Sequence, residues 1–224
     1  MRRRLLVLLL ALASVALASS CTNLVAGDSL VVQAAMTTAG ARATTWPVTS
    51  GTSEADGVVL RGFSGAAPCD YRPVAGSDFD KWRPQRVSLA FSGNNGTPCM
   101  KDSSGRPLTG SAFVAKYRTD LAALTTYLTS RGASVIFSAP LCVAPGTRVT
   151  NGDPALRSME RALAATFAQQ RKHVAYSEYA ALRICPGWSY NAAYRNLDGL
   201  HLSATGARVY ASALRYESKH TVIP

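Results

Sequence analysis

Residues 24–30 are Leu-Val-Ala-Gly-Asp-Ser-Leu, an apolar run that passes through a glycine and an aspartate into a segment with helical spacing. The first three residues predict a short buried strand, and the stretch from Ser29 to Ala39 predicts the helix that follows it. Because the helix follows the strand directly, this stretch predicts the first strand–helix unit of an α/β protein.

The rest of the chain alternates short apolar runs with longer helical segments. Further strands are predicted at residues 58–60, 87–91, 134–139 and 174–176. Further helices are predicted at residues 111–131, 153–170 and 203–217, the last with Val209, Ala213 and Tyr216 on its inner side. Residues 40–56 have no clear pattern. The alternation predicts a parallel sheet that is covered by helices on both faces.

The amino terminus predicts export. A run of arginines is followed by an apolar stretch, Leu5–Ala18, that ends in an A-x-A cleavage pattern. A signal peptide of residues 1–18 is the favoured interpretation, and residues 19–224 then form a single domain in a secreted or extracytoplasmic location. In the alternative, Cys21 is the lipid-modified first residue of a lipoprotein. The leader is then residues 1–20, and the protein is anchored to a membrane through that cysteine.

The charge of the chain limits its partners. The formal net charge is +11, of which three positive charges belong to the leader arginines, so +8 remains on the exported chain. This balance suits an acidic envelope polymer or an anionic membrane surface, and it suits a solvated basic surface equally well. No run of Lys or Arg is concentrated enough to form a nucleic-acid patch, so no nucleic-acid partner is expected.

Four cysteines besides Cys21 form an even set, which in an exported protein favours two disulfides over metal ligands. They are Cys69, Cys99, Cys142 and Cys185. No C-x-x-C pair is present and the three histidines are scattered, so no metal site is expected. Each of the four follows a predicted strand, which predicts that they gather at one end of the sheet.

Three residues supply the groups for acyl transfer. Ser29, Asp198 and His201 occur in the order nucleophile, orienting carboxylate and base. A serine hydroxyl needs an imidazole to take its proton, and the imidazole needs a carboxylate to fix its tautomer. Ser29 also starts a predicted helix, where its backbone N–H favours an oxyanion. These residues are the predicted catalytic triad.

Two glycine turns between these segments are predicted to complete an oxyanion hole. The donors expected there are the backbone N–H of Gly65 and the side-chain amide of Asn94, with Asn95 as the second choice. Alone, each segment has a plainer interpretation as a turn or a helix cap. Together, the serine segment and the two glycine turns follow strand ends, where parallel sheets form their ligand sites, while Asp198 and His201 precede the last helix. This coincidence of position favours catalysis.

Aromatic residues in the loop before Asp198 are candidates for the substrate rim: Trp188, Tyr190 and Tyr194. For Trp46 and Trp82, packing in the core or a loop is the preferred interpretation.

Four segments resemble the conserved blocks of the SGNH/GDSL hydrolase family. They are Gly27–Leu30, Gly62–Gly65, Ser92–Asn95 and Asp198–His201. The third segment departs from the family pattern, because Ser92 and Asn95 stand where the block usually has glycine and aspartate. The resemblance implies a flavodoxin-like three-layer α/β/α sandwich with five parallel strands, ester hydrolysis through an acyl-enzyme, and neither metal nor organic cofactor.

The family's strand order, 2-1-3-4-5, also implies a disulfide pairing. In that order Cys142 and Cys185 follow neighbouring strands, and Cys69 and Cys99 lie on either side of the catalytic serine. The implied pairs are therefore Cys69 with Cys99 and Cys142 with Cys185.

The predicted function is that of a secreted serine esterase or lipase that hydrolyses a small ester, a lipid or an acylated polysaccharide. Two alternatives remain open. The same residues would serve an O-acyltransferase that passes the acyl group to an envelope glycan. The chain could also be a noncatalytic envelope-binding module.

Overall fold

The computed structural model describes residues 22–38, 50–147 and 154–224. The predicted signal peptide, Cys21, Trp46 and the predicted helix cap at Asp153 lie outside these residues. In the part of the chain that is described, no helix has both the length and the apolar composition needed to cross a membrane.

The described residues form one six-stranded sheet. Its strands are β1 (Asn23–Gly27), β2 (Ser50–Ala55), β3 (Val58–Phe63), β4 (Arg86–Ala90), β5 (Ser134–Ser138) and β6 (Val174–Ser177). They lie in the order β2-β3-β1-β4-β5-β6. All neighbouring pairs are parallel except β2 with β3. The five predicted strands are therefore confirmed, in the 2-1-3-4-5 order that the resemblance implied.

The prediction of a five-stranded sheet was one strand short, because β2 was not recognised. Its sequence, Ser-Gly-Thr-Ser-Glu-Ala, lacks the apolar alternation of a half-buried strand. It forms because a tight turn at Asp56 and Gly57, both with positive φ, folds it back on β3 as an antiparallel edge strand. An Asp-Gly pair is the usual signal for such a hairpin turn.

Helices cover both faces of the sheet. They are α1 (Ser29–Thr38), α2 (Pro68–Tyr71), α3 (Ala75–Trp82), α4 (Gly110–Ser130), α5 (Pro154–Gln169), α6 (Tyr179–Ile184) and α7 (Ala204–His220). On one face α1 and α6 pack against α7, and on the other α4 packs against α2 and α5. This confirms the α/β/α sandwich. Trp82 packs against the core of the second face, as predicted.

The side chains of β1 alternate between two apolar cores. Leu24 and Ala26 belong to the core beneath α4 and α5, whereas Val25 belongs to the core beneath α1 and α7. All three are almost completely buried. A strand that is covered on both faces has apolar residues at successive positions, which explains why β1 can be recognised from the sequence.

Helix α1 lies unusually close to β3 because Gly62 has no side chain. A Cβ at Gly62 would lie 2.2 Å from the backbone nitrogen of Val32, far inside van der Waals contact. Gly27 faces Gly62 in the register of β1 and β3, and a Cβ there would lie 2.4 Å from Cγ2 of Val31 on α1. The two glycines therefore set the distance between α1 and the sheet.

The inner face of α7 differs from the prediction at Tyr216, which is 49% exposed. Tyr210 and Leu214 are buried instead, together with the predicted Ala213. The next residue, Glu217, turns inward because its carboxylate accepts hydrogen bonds from serine hydroxyls at the ends of β5 and β6. Glu217 is therefore buried at the position where the spacing of apolar residues predicted Tyr216.

Both disulfides lie at the edge of the sheet where the parallel strands end. The pairs are Cys69–Cys99 and Cys142–Cys185, as the resemblance implied. The four cysteines follow β3, β4, β5 and β6 respectively. The loops at this carboxyl edge are therefore joined to one another covalently.

The opposite, amino edge of the sheet holds the end of α7. The amide of Asn23 donates to the carbonyl of Ser218 at 3.4 Å. The guanidinium of Arg86 donates to the carbonyls of Lys219 and Thr221, both at 3.1 Å. Asn23 and Arg86 begin β1 and β4, so the carboxyl end of α7 is bonded to the starts of these strands.

Candidate active site

The turn between β1 and α1 presents Ser29 at the carboxyl edge. Asp28 caps the helix, because its Oδ1 accepts the N–H of Leu30 at 3.0 Å. Its Oδ2 accepts the N–H of Ser92 at 2.7 Å. Ser29 is the first residue of α1, so its N–H has no acceptor within the helix and lies at the positive end of the helix dipole. This position suits an oxyanion donor.

The carboxylate of Asp28 is 1% exposed. Burial raises its pKa, while the hydrogen bonds from Ser92 and Leu30 and the nearby imidazole of His201 act in the opposite direction.

Asp198 and His201 are bonded directly. The imidazole Nδ1 lies 2.6 Å from Oδ2 of Asp198. The other carboxylate oxygen accepts the backbone N–H groups of Leu200 and His201, each at 2.9 Å. Because Nδ1 donates to the carboxylate, Nε2 is left as the acceptor nitrogen of a neutral imidazole. The histidine is therefore oriented as a general base would be.

Partial burial by itself would raise the pKa of Asp198, but the hydrogen bonds outweigh it. Those from the imidazole and from the backbone N–H groups of His201 and Leu200 lower the pKa below its ordinary value. The carboxylate is therefore ionised over the whole neutral range, as an orienting group must be.

Gln33 joins the serine helix to the histidine segment. Its Nε2 donates to the carbonyl of Leu202 at 3.2 Å, and its Oε1 accepts the N–H of Leu202 at 2.9 Å. Gln33 lies one turn after Ser29 on the same face of α1, and Leu202 follows His201 directly. This reciprocal pair holds the candidate nucleophile and the candidate base on adjoining elements.

Gly65 and Asn94 follow β3 and β4, the two strands on either side of β1, and they lie side by side beyond the end of β1. Oδ1 of Asn94 accepts the N–H of Gly96 at 2.8 Å, which fixes the orientation of the amide. A Cβ at Gly65, where φ is +71°, would lie 3.5 Å from Nδ2 of Asn94. The donor end of the amide thus faces the glycine turn. Nδ2 of Asn95 instead donates to the carbonyl of Leu108 at 2.8 Å, so Asn95 has a structural partner.

A cavity of about 590 Å³ opens beside these two residues. Its lining is Phe63, Ser64, Gly65, Ala66, Asp70, Val74, Asn94, Gly96, Thr97 and Pro98. One wall is fixed by Asp70, whose carboxylate accepts the N–H of Ala67 and the hydroxyl of Thr97, each at 2.9 Å. The Cys69–Cys99 disulfide flanks the same wall.

The three predicted rim residues lie in the loop between α6 and α7. Trp188 has a left-handed backbone conformation, with φ of 62°, and the guanidinium of Arg157 lies 4.1 Å from its ring centroid. The carbonyl of Tyr194 accepts the N–H of Ser203 at the start of α7. Trp188 and Tyr194 are partly buried against the core, and Tyr190 is half-buried. Their role at a substrate rim stays a prediction.

Among the described residues, one group of potential metal ligands comes together: Cys69, Asp70 and Cys99. Both thiols of this group are joined in a disulfide, so it offers no thiolate to a metal.

Sequence reasoning missed Arg195. This arginine is 5% exposed, and its Nη1 donates to the carbonyl of Leu200 at 2.6 Å. A single arginine in a polar loop carries no signal in the sequence, because its acceptors are brought to it only by the fold.

Comparison of the sequence alone gives no match to a family model and no match to a curated protein. Solved structures, in contrast, superpose on nearly the whole molecule. A GDSL-like lipase from Bacteroides thetaiotaomicron has a TM-score of 0.61 at 14% identity, over 91% of this chain and 90% of that chain. The chain has the SGNH hydrolase fold.

Two further structures with the SGNH hydrolase fold are similar. A lipase/acylhydrolase from Enterococcus faecalis has a TM-score of 0.56 at 18% identity, over 91% of this chain and 97% of that chain. The acetylxylan esterase Axe2 from Geobacillus stearothermophilus has a TM-score of 0.53 at 16% identity, over 89% and 95%. At this identity the likeness is one of fold.

Proposed function

We propose that this protein is an exported serine esterase that hydrolyses carboxylic esters through an acyl-enzyme on Ser29. The observation that carries the proposal is the hydrogen bond between Asp198 and His201, in an arrangement that leaves Nε2 of the imidazole as a proton acceptor. The reciprocal Gln33–Leu202 pair supports it, because it holds the histidine segment against the serine helix. The GDSL lipases and the acetylxylan esterase with this fold support the reaction class.

In the first half of the reaction, the Ser29 hydroxyl adds to the ester carbonyl carbon while Nε2 of His201 takes its proton. The negative charge that forms on the carbonyl oxygen is stabilised by the N–H groups of Ser29 and Gly65 and the amide of Asn94. Collapse of this intermediate breaks the bond to the alcohol oxygen. The imidazolium returns its proton to that oxygen, and the alcohol leaves.

In the second half, His201 removes a proton from a water molecule that attacks the acyl-enzyme. The second tetrahedral intermediate uses the same oxyanion donors. Its collapse releases the acid and returns the proton to Ser29. Asp198 stays ionised throughout, because its role is to orient the imidazole and to stabilise the imidazolium.

The location proposed for the activity is outside the cytoplasm. Two disulfides lie among the described residues, and disulfides persist in oxidising compartments. The apolar leader ending in an A-x-A pattern supports the same proposal.

Labelling with a fluorophosphonate, combined with turnover of p-nitrophenyl acetate, tests this function. The wild-type protein is expected to be modified on the peptide that contains Ser29, and Ser29→Ala to lose both labelling and turnover. Ser130→Ala is the matched control, because Ser130 ends α4 at the opposite edge of the sheet. A folded wild-type protein that neither reacts with the probe nor hydrolyses the ester would refute the proposal.

A further inference from the structure

Arg195 joins two segments that are distant in the sequence. Its Nη1 donates to the carbonyl of Leu200, the residue before His201, at 2.6 Å. Its Nη2 donates to the carbonyl of Cys142. Cys142 is bonded in turn to Cys185, and Sγ of Cys185 lies 3.9 Å from the same Nη2. One guanidinium thus connects the histidine turn to a disulfide at the carboxyl edge.

Backbone contacts strengthen this connection on both sides of the turn. The N–H of Asn196 donates to the carbonyl of His201 at 2.8 Å, which closes the turn that holds Asp198. The N–H of Ala144 donates to the carbonyl of Gly199 at 3.0 Å. A Cβ on Gly199 would lie 2.5 Å from that of Ala144, so the two segments are in close contact.

Burying the guanidinium of Arg195 costs more free energy than burying an apolar side chain of similar size. Burial lowers the pKa of Arg195, and its Nε is buried without an acceptor. Burying a charge costs free energy, so stability alone does not account for an arginine here. A guanidinium does offer donors in a rigid planar fork, which can hold two carbonyl oxygens at a fixed separation.

We propose that Arg195 and the Cys142–Cys185 disulfide form one clamp that positions the Asp198–His201 turn for catalysis. The clamp is defined by these contacts: Cys185 to Cys142, Cys142 to Arg195, and Arg195 to Leu200. Arg195 acts through Leu200, so it is a positioning residue. The inference rests on the proposed esterase activity, because the clamp holds His201, the proposed catalytic base, in position.

Two substitutions compare buried arginines inside and outside the clamp. Arg195→Met removes the fork, whereas Arg215→Met removes an arginine that is 8% exposed and donates to Ser53 on the edge strand β2. Displacing a catalytic group by about 1 Å costs on the order of a hundredfold in rate, so kcat should fall by about that factor in Arg195→Met with little change in KM. Arg215→Met should keep its kcat, because Ser53 lies on the edge strand and not in the histidine turn.

The low-field NMR signal of the His201 Nδ1 proton provides a readout that does not depend on turnover. It should weaken or shift in Arg195→Met and stay unchanged in Arg215→Met. In Arg195→Lys, which can reach only one of the two carbonyls, both kcat and the signal should be intermediate. The double variant Cys142→Ala/Cys185→Ala keeps Arg195 but loosens its anchor, and should lower kcat in the same way.

The outcomes separate the clamp from the esterase proposal. An inert wild-type protein would refute the esterase function, while the NMR signal would still report on the position of the turn. An active protein whose Arg195→Lys and disulfide variants are folded by circular dichroism, with unchanged kcat and Nδ1 signal, would overturn the clamp. If Arg195→Met does not fold, these two variants carry the test.

Discussion

The carboxylate of Asp28 and the N–H of Ser92 are joined by a buried hydrogen bond of 2.7 Å. Asp28 precedes the candidate nucleophile, and Ser92 lies two residues before Asn94, the candidate oxyanion donor. The bond therefore connects the two halves of the proposed site across the neighbouring strands β1 and β4. Because this bond uses the backbone N–H, the glycine that usually stands at this position could form it as well as Ser92 does.

Asp28→Asn should weaken this connection. The carboxylate accepts the N–H groups of Ser92 and Leu30, one on each oxygen, but an amide has one oxygen and leaves one N–H without an acceptor. An unpaired buried donor costs about 1–3 kcal/mol, which urea denaturation would measure as a lower free energy of unfolding. Glu54→Gln, at an exposed position of β2, is the control. Equal losses in the two variants would contradict the assigned role.

The two neighbouring asparagines should respond in opposite ways. Asn94→Ala is expected to lower kcat on the order of a hundred- to a thousandfold, because one oxyanion donor is lost. Its effect on stability should be small, because the hydrogen bond that it loses, from the N–H of Gly96, is exposed to solvent. Asn95→Ala removes the hydrogen bond to Leu108 and should cost about 0.5–1.5 kcal/mol of stability while kcat is largely kept. Steady-state kinetics and thermal melting check both variants. If Asn95→Ala has the larger kinetic defect, the assignment is reversed.

Asp198→Asn should disturb both activity and the pH dependence of stability. Loss of the carboxylate leaves the imidazole tautomer unfixed, which in serine hydrolases lowers kcat on the order of ten-thousandfold. The pKa of Asp198 is lowered in the folded protein, so its ionised form stabilises the fold above the unfolded value of about 3.9. This contribution is lost as the pH falls through the folded pKa.

Stability measured against pH checks that sign. The wild-type protein should be more stable than Asp198→Asn at neutral pH, and the difference should close in acid below about pH 4. A difference that widens in acid would show that the carboxylate is not stabilised by its partners.

Gly62→Ala tests the close approach of α1 to the sheet. The added methyl group would lie 2.2 Å from the nitrogen of Val32, so α1 must move, at a cost at the upper end of about 1–3 kcal/mol. Because Ser29 begins α1, esterase activity should fall as well. Gly105→Ala is the control, since φ there is +80° and no atom lies within 4 Å of the new Cβ. It should cost only the strain of a left-handed alanine, about 1–2 kcal/mol, with activity unchanged.

The elements that the sequence predicted are those whose own residues determine them. Strands such as β1 are buried on both faces and appear as apolar runs, and cysteines that follow those strands indicate where the disulfides gather. Strand β2 has no such pattern, because it depends on its pairing with β3. The prediction that Tyr216 faces inward was wrong. The carboxylate of Glu217 faces inward instead, because it accepts hydrogen bonds from hydroxyl groups of β5 and β6, which lie 40 residues or more away in the chain.

The same limit applies to the candidate site. Ser29, Asp198 and His201 could be proposed because short local motifs contain them. Asn94 was preferred to Asn95 from the motif alone. What the sequence could not supply is the partner of each side chain, which is Gly96 for Asn94 and Leu108 for Asn95. The role of Arg195 could not be predicted from the sequence, because only the fold brings its two acceptors, the carbonyls of Leu200 and Cys142, next to it.

The placement of the two chain ends has a practical consequence for tethering. The described chain enters β1 at Asn23, and α7 finishes beside the starts of β1 and β4, so both ends leave from the side of the sheet remote from Ser29. Five residues of β1 span about 16 Å between those sides. A lipid attached ahead of Asn23, or a fusion partner behind Pro224, would therefore be attached on the side of the sheet opposite Ser29.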